Sequence, residues 1–95
     1  MKLLTQKIKS KLPSLYSTDK TPVDEKMVQV KFFHPFSGWR WYAVEYDPEN
    51  KLFFGLVNGF EQEWGYFSLE ELKQNNVERD KFFTPKKIKD IKELR

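Results

Sequence analysis

"WRWYAVEYDPENKLFFGLVNGFEQEWGYF", Trp39 to Phe67, holds three apolar runs broken by two turn signals. Asp47-Pro48-Glu49-Asn50 and Asn58-Gly59 carry the residue types that tight turns require. The stretch therefore reads as three antiparallel strands, Trp39–Tyr46, Lys51–Val57 and Phe60–Phe67. Just upstream, "MVQVKFF" (Met27–Phe33) alternates Val28, Val30 and Phe32 with Gln29 and Lys31, the period of a half-buried strand. Pro35 and Gly38 end it.

Helices are expected on either side of these strands. Thr5 can cap a short one in which Ile8 and Leu12 share a face and Pro13 stops the chain. Tyr16–Lys26 is polar and turn-rich, an exposed loop. "SLEELKQNN" opens with a capping box, Ser68 with Glu71 three residues on. Thr84-Pro85 reads as the cap and first position of a last helix carrying Ile88, Ile91 and Leu94 on one face. The expected class is α+β: an antiparallel four-stranded meander sheet, five-stranded if Lys81–Phe83 adds a strand. N-terminal, middle and C-terminal helices pack on it. Residues 1–95 are expected to form one domain.

Turn chemistry argues the register. A three-residue loop, Val57-Asn58-Gly59, with Gly59 as a left-handed bulge pairs Leu56 with Phe60. It collects Leu52, Phe54, Leu56, Phe60 and Trp64 on one side. Tyr42, Val44, Tyr46, Val28, Val30 and Phe32 extend that side into a core face. The reverse face then carries Trp39, Trp41, Ala43 and Glu45, with Phe53, Gly55, Val57, Glu61, Glu63, Lys31 and Phe33. Two readings of it stand open: a helix covers it, or Trp39, Trp41 and Phe53 form an exposed patch with an acidic rim.

Bulk composition narrows the setting. The chain has no cysteine, which excludes disulfides and thiolate metal sites and fits a reducing cytoplasm. "MKLLTQKIKSKL" is lysine-spaced, without the apolar run of a signal peptide or membrane span. A cytoplasmic protein without a membrane partner is expected. Nine Phe, four Tyr and three Trp compensate for a hydrophobic content of only 39%. The net charge of +3 conceals basic ends around an acidic middle. Residues 27–80 hold five basic groups against nine acidic ones, whereas residues 81–95 hold six against two.

Chemistry-bearing residues are few. His34 and Ser37 lie three apart, but no neighbouring residue type activates them, and a single histidine without cysteine meets none of the usual zinc sets. Glu45, Glu61 and Glu63 could converge to hold Mg²⁺ for a hydrolase; pairing with Lys31, Arg40 and Lys51 across strands is the commoner outcome. No phosphate-cradling glycine loop is present. No catalytic residue, metal or cofactor is assigned.

Four segments together carry a resemblance: "LLTQKIKSKLPSLYST", "VKFFHPFSGWRWYAVEYD", "LFFGLVNGFEQEWGYFSLEEL" and "VERDKFFTP". In this order they resemble the small bacterial family called domain of unknown function 2958. The resemblance implies an accessory gene of plasmids, integrative elements or phage-like regions, and it brings no catalytic residues. It also implies that a longer insertion found in relatives before Val77-Glu78-Arg79-Asp80 is reduced here to "KQNN".

The expected function is a non-enzymatic accessory module of a mobile element, binding a protein partner. Its site residues are Trp39, Trp41, Phe53, Phe33 and Glu45, an aromatic patch with an acidic rim. The alternative partner is single-stranded DNA or RNA, with bases stacking on the sheet aromatics. Arg40, Lys86, Lys87, Lys89 and Lys92 would meet phosphate.

Overall fold

The computed structural model describes residues 2–94. Thr5 caps α1 (Gln6–Lys11), its Oγ1 accepting from Ile8 N at 3.2 Å. A 3₁₀ turn at Val23–Glu25 leads to β1 (Met27–Val28) and then β2 (Val30–Phe33), β3 (Arg40–Asp47), β4 (Leu52–Asn58) and β5 (Gln62–Ser68). Ser68 caps α2 (Leu69–Gln74) through Glu71 N at 2.9 Å. Then come β6 (Glu78–Arg79), β7 (Lys86–Lys87) and 3₁₀ turns at Ile88–Asp90 and Lys92–Leu94. The architecture is α+β. An antiparallel sheet in the order β5-β4-β3-β2-β6 stands beside a two-stranded ribbon of β1 and β7.

Only two α-helices form among the described residues. The expected third is instead β7 and two 3₁₀ turns. Its apolar residues, Ile88, Ile91 and Leu94, recur every three positions, which is the 3₁₀ period as much as half of an α-helical one. Pairing decides it: Met27 and Val28 register with Lys87 and Lys86, and Ile88 N donates to Lys26 O at 3.0 Å. The fifth strand of the larger sheet is Glu78–Arg79, pairing with Phe33 and Phe32, rather than Lys81–Phe83.

Both faces of the sheet are apolar, and both are covered. The front face carries Val30, Phe32, Ala43, Tyr46, Phe53 and Phe67 beneath Leu3, Leu4, Leu12 and the α2 residues Leu69 and Leu72. The back face carries Val28, Tyr42, Val44 and Leu56 beneath Ile88 and Ile91. The expected core face thus splits in two. Met27–Phe33 is not one strand: it breaks at Gln29, so Val28 joins the back cluster and Val30 the front one. In β3 the register against β4 shifts between Ala43 and Glu45, which moves Tyr46 to the front, opposite Phe53. A bulge of this kind reverses the alternation beyond it.

The β4–β5 turn differs as well. Leu56 pairs with Trp64, not Phe60, and Gly59-Phe60-Glu61 forms the loop, with Gly59 N donating to Glu61 O at 3.1 Å. The displacement is an even number of residues, so Phe54, Leu56 and Trp64 still share a face. Phe60, expected in the core, stands on the loop tip and is 94% exposed.

Candidate functional site

The β2–β3 loop sets one wall. His34 Nδ1 accepts from Ser37 N at 3.1 Å and Phe36 N at 3.3 Å, and His34 N donates to Trp39 O at 2.9 Å. Gly38, at φ 80°, supplies the left-handed residue this tight loop needs. The Ser37 hydroxyl accepts from Trp39 N at 3.3 Å. Imidazole Nδ1 and the hydroxyl oxygen thus both accept from backbone amides, and no hydrogen bond joins the two side chains.

Trp39 leaves this loop and lies flat against Gly59. A Cβ at Gly59 would come within 2.5–2.7 Å of the indole. The Asn-Gly turn therefore serves to seat an aromatic ring. Phe60 meets Trp39 edge-on at 5.2 Å between centroids, and Trp41 follows at 6.0 Å. Phe60, Trp39 and Trp41 make a continuous aromatic ridge. Phe36, 93% exposed, stands on the adjoining tip with its ring 6.1 Å from His34.

Beside the ridge α2 leaves a groove of about 480 Å³, lined by Trp39, Trp41, Val57, Phe67, Leu72 and Val77. Glu71 and Asn75 of α2 and His34 and Ser37 of the loop rim it. Trp41, Val57 and Glu63 lie side by side on three neighbouring strands, placing a carboxylate in line with the indole. Glu61 and Glu63 are exposed, and neither makes an ion pair among the described residues.

The expected partner residues divide. Trp39 and Trp41 are half-buried beside the groove. Phe53 is not a surface residue: it is fully buried, within 4.6–5.4 Å of the rings of Tyr46, Phe67 and Phe32. Glu45 is no rim residue either, being 2% exposed. Its Oε1 accepts from Tyr16 N at 2.8 Å and its Oε2 from Thr18 N at 3.0 Å and from the Thr18 hydroxyl. Lys26 Nζ donates to Thr18 O and, at 3.1 Å, to Thr18 Oγ1. The carboxylate clamps a loop whose Tyr16 sits at φ 70°, a costly conformation for an aromatic residue. Phe33 belongs to the other face and, with Arg40, Lys31 and Asp80, lines a separate hollow of about 610 Å³.

Carboxylates do not converge. Glu45 pairs with Phe54 on the back of the sheet and Glu63 with Val57 on the front. No cluster of three or more His, Cys, Asp or Glu suited to a metal occurs among the described residues. Of the basic residues named for nucleic acid, Arg40 lines the Phe33 hollow together with Trp39, and the four lysines lie apart from the tryptophans. Lys86 and Lys87 are in β7, and Lys89 and Lys92 are in the turns that cover the back. Lys87 and Lys89 bind Glu25 at 2.8 and 2.9 Å, holding its carboxyl down at about 2 through those two hydrogen bonds. Nearby, burial pushes the Tyr42 phenol up, reinforced by the Glu93 carboxylate that accepts its hydroxyl at 3.1 Å. Glu93 is itself held below its ordinary value, chiefly by the hydrogen bond from Lys31 at 2.7 Å.

Reading the sequence missed Phe36 and Phe60. The signal for Phe60 was its place directly after Asn-Gly, where a loop tip is as natural as a strand start. The family described as Protein of unknown function (DUF2958) matches residues 3–89. The chain belongs to this family. The match spans the front cluster of the DUF2958 core, the back cluster except Ile91, and every residue of the aromatic ridge. No curated protein and no solved structure matches the chain. No helix among the described residues is long and apolar enough to cross a membrane.

Proposed function

We propose that this DUF2958 chain is a non-enzymatic interaction module, an accessory component of a bacterial mobile element, that binds a protein through the groove beside Trp39 and Trp41. The observation that carries the reading is the placement of Phe36 and Phe60. Both rings are more than nine-tenths exposed on two adjoining hairpin tips, flanking indoles that already have a seat. Rings this exposed contribute little to folding beyond one edge contact each, whereas in an interface each buries a large area at small entropic cost. The carboxylates of Glu61, Glu63 and Glu71 around the ridge favour a partner segment with basic flanks and disfavour phosphate. That local charge, with Lys86, Lys87, Lys89 and Lys92 over the opposite face, is why a protein is preferred over single-stranded nucleic acid.

Phe36→Ser and Phe60→Ser should lower stability only slightly, by no more than the roughly 0.5–1.5 kcal/mol of an edge contact such as Phe60 on Trp39, since neither ring is buried. A partner cross-linked to the wild-type chain in host cells should be lost from the double variant. Equal recovery by both would remove this face from consideration.

A further inference from the structure

The two edges of the large sheet are treated differently by the sequence. On one side β6 is two residues long, a blunt edge of the usual protective kind. On the other, β5 runs seven residues, roughly 24 Å, with neither proline nor lysine. Among the described residues no backbone hydrogen bond beyond the β4 ladder involves Gln62–Phe67. An edge of this length and openness is a template for another strand.

Gly65 sits at its centre. The glycine across from it, Gly55, is required by packing, because a Cβ there would lie 1.9 Å from Tyr42 O. Gly65 has no such reason: its φ is not left-handed and a Cβ would meet nothing within 4 Å. Glycine weakens a strand by about 0.5–1 kcal/mol relative to alanine, and one inside a strand often marks close approach by another backbone.

We propose that β5 pairs antiparallel with β5 of a second copy of this chain, about a two-fold axis at Gly65, joining the two sheets into one. The rings flanking Gly65 are complementary in that register. Trp64 faces Tyr66 of the other copy, and Glu63 faces Phe67. Cross-strand aromatic pairs stabilise such a ladder, whereas a two-fold at Glu63 would set like charges opposite each other. Within one copy Phe54 already lies between Trp64 and Tyr66, at 5.7 and 5.2 Å. The two-fold extends this row of rings across the junction, where Tyr66 is 50% exposed. The partner is thus a second copy because the edge matches itself.

A strand pair buries less than a standard interface, so a weak, concentration-dependent dimer is expected. Sedimentation velocity from about 5 to 500 µM should show monomer passing to dimer. Hydrogen exchange of amides 62–68 should slow at the upper end. Tyr66→Lys, which places a charge on an exposed position, should weaken the dimer at least about tenfold while leaving the monomer folded. Gly65→Pro should abolish it; if that variant fails to fold, Tyr66→Lys alone decides. A chain monomeric at every concentration, or a dimer indifferent to Tyr66→Lys, overturns the proposal. Tyr66 also borders the front groove, so the groove is tested separately, by Phe36→Ser and Phe60→Ser, which lie outside β5.

Discussion

Gly55 and Gly65 face each other across the β4–β5 ladder, yet the same substitution should have opposite effects at the two. At Gly55 an added Cβ would fall 1.9 Å from Tyr42 O, 2.9 Å from Tyr42 C and 3.0 Å from Ala43 Cα, all backbone. Ordinary contact needs at least 3.4 Å, so β3 and β4 would have to part by about 1.5 Å where strands stand about 4.8 Å apart. That separation breaks one or two ladder hydrogen bonds, each contributing about 0.5–1.5 kcal/mol, and adds overpacking strain of about 1–3 kcal/mol. Gly55→Ala should therefore destabilise by about 3–5 kcal/mol, a large part of the stability of a small domain. Gly65→Ala meets open space and should stabilise by about 0.5–1 kcal/mol, through a less mobile unfolded chain. Urea unfolding at low protein concentration, followed by circular dichroism, measures both. A Gly55→Ala variant within about 1 kcal/mol of wild type would refute the close approach of the Tyr42 backbone to Gly55.

Further tests probe the two covered faces and the loop clamp. Glu45→Ala leaves the Tyr16 and Thr18 donors without their acceptor and should cost about 2–4 kcal/mol. Limited proteolysis should then cut first within residues 14–20. Ile91→Ala empties a buried position of the back cluster and should cost about 2–4 kcal/mol in the same urea assay; a negligible loss would mean that the C-terminal turns do not hold that face. Acid should loosen those turns selectively. The Glu25 carboxyl lies at about 2, below its ordinary 4.5, so its contribution is complete above about 4.5 and is lost as pH falls toward 2. Glu93, also depressed, acts in the same sense. Methyl NMR of Ile88 and Ile91 should report the change, and salt should diminish it at neutral pH.

What the sequence disclosed was mostly local. Thr5 and Ser68 were readable as caps because a cap depends on residues three apart. The meander was readable because turn residues punctuate alternating runs. The distribution of side chains between the faces was not, since alternation alone cannot order two faces that are both apolar. Only the break at Gln29 and the shift between Ala43 and Glu45 settle it, and both are consequences of pairing. Glu45 looked like a rim carboxylate because its acceptor role depends on amides 27 and 29 residues away. Of the site, the two tryptophans were legible and their setting was not. Gly59 acquires its purpose only when Trp39 folds back onto it.

The division of the apolar interior between opposite ends of the chain has a bearing on biosynthesis. A ribosome delivers Val28, Tyr42, Val44 and Leu56 well before Ile88 and Ile91, which shield them. The front of the nascent sheet can close once α2, ending at Gln74, has emerged, but the rear stays wet until Ile88 and Ile91 follow. During that interval the half-made domain is sticky on one side, and an arrest or truncation between residues 75 and 87 would be expected to recruit chaperones or aggregate.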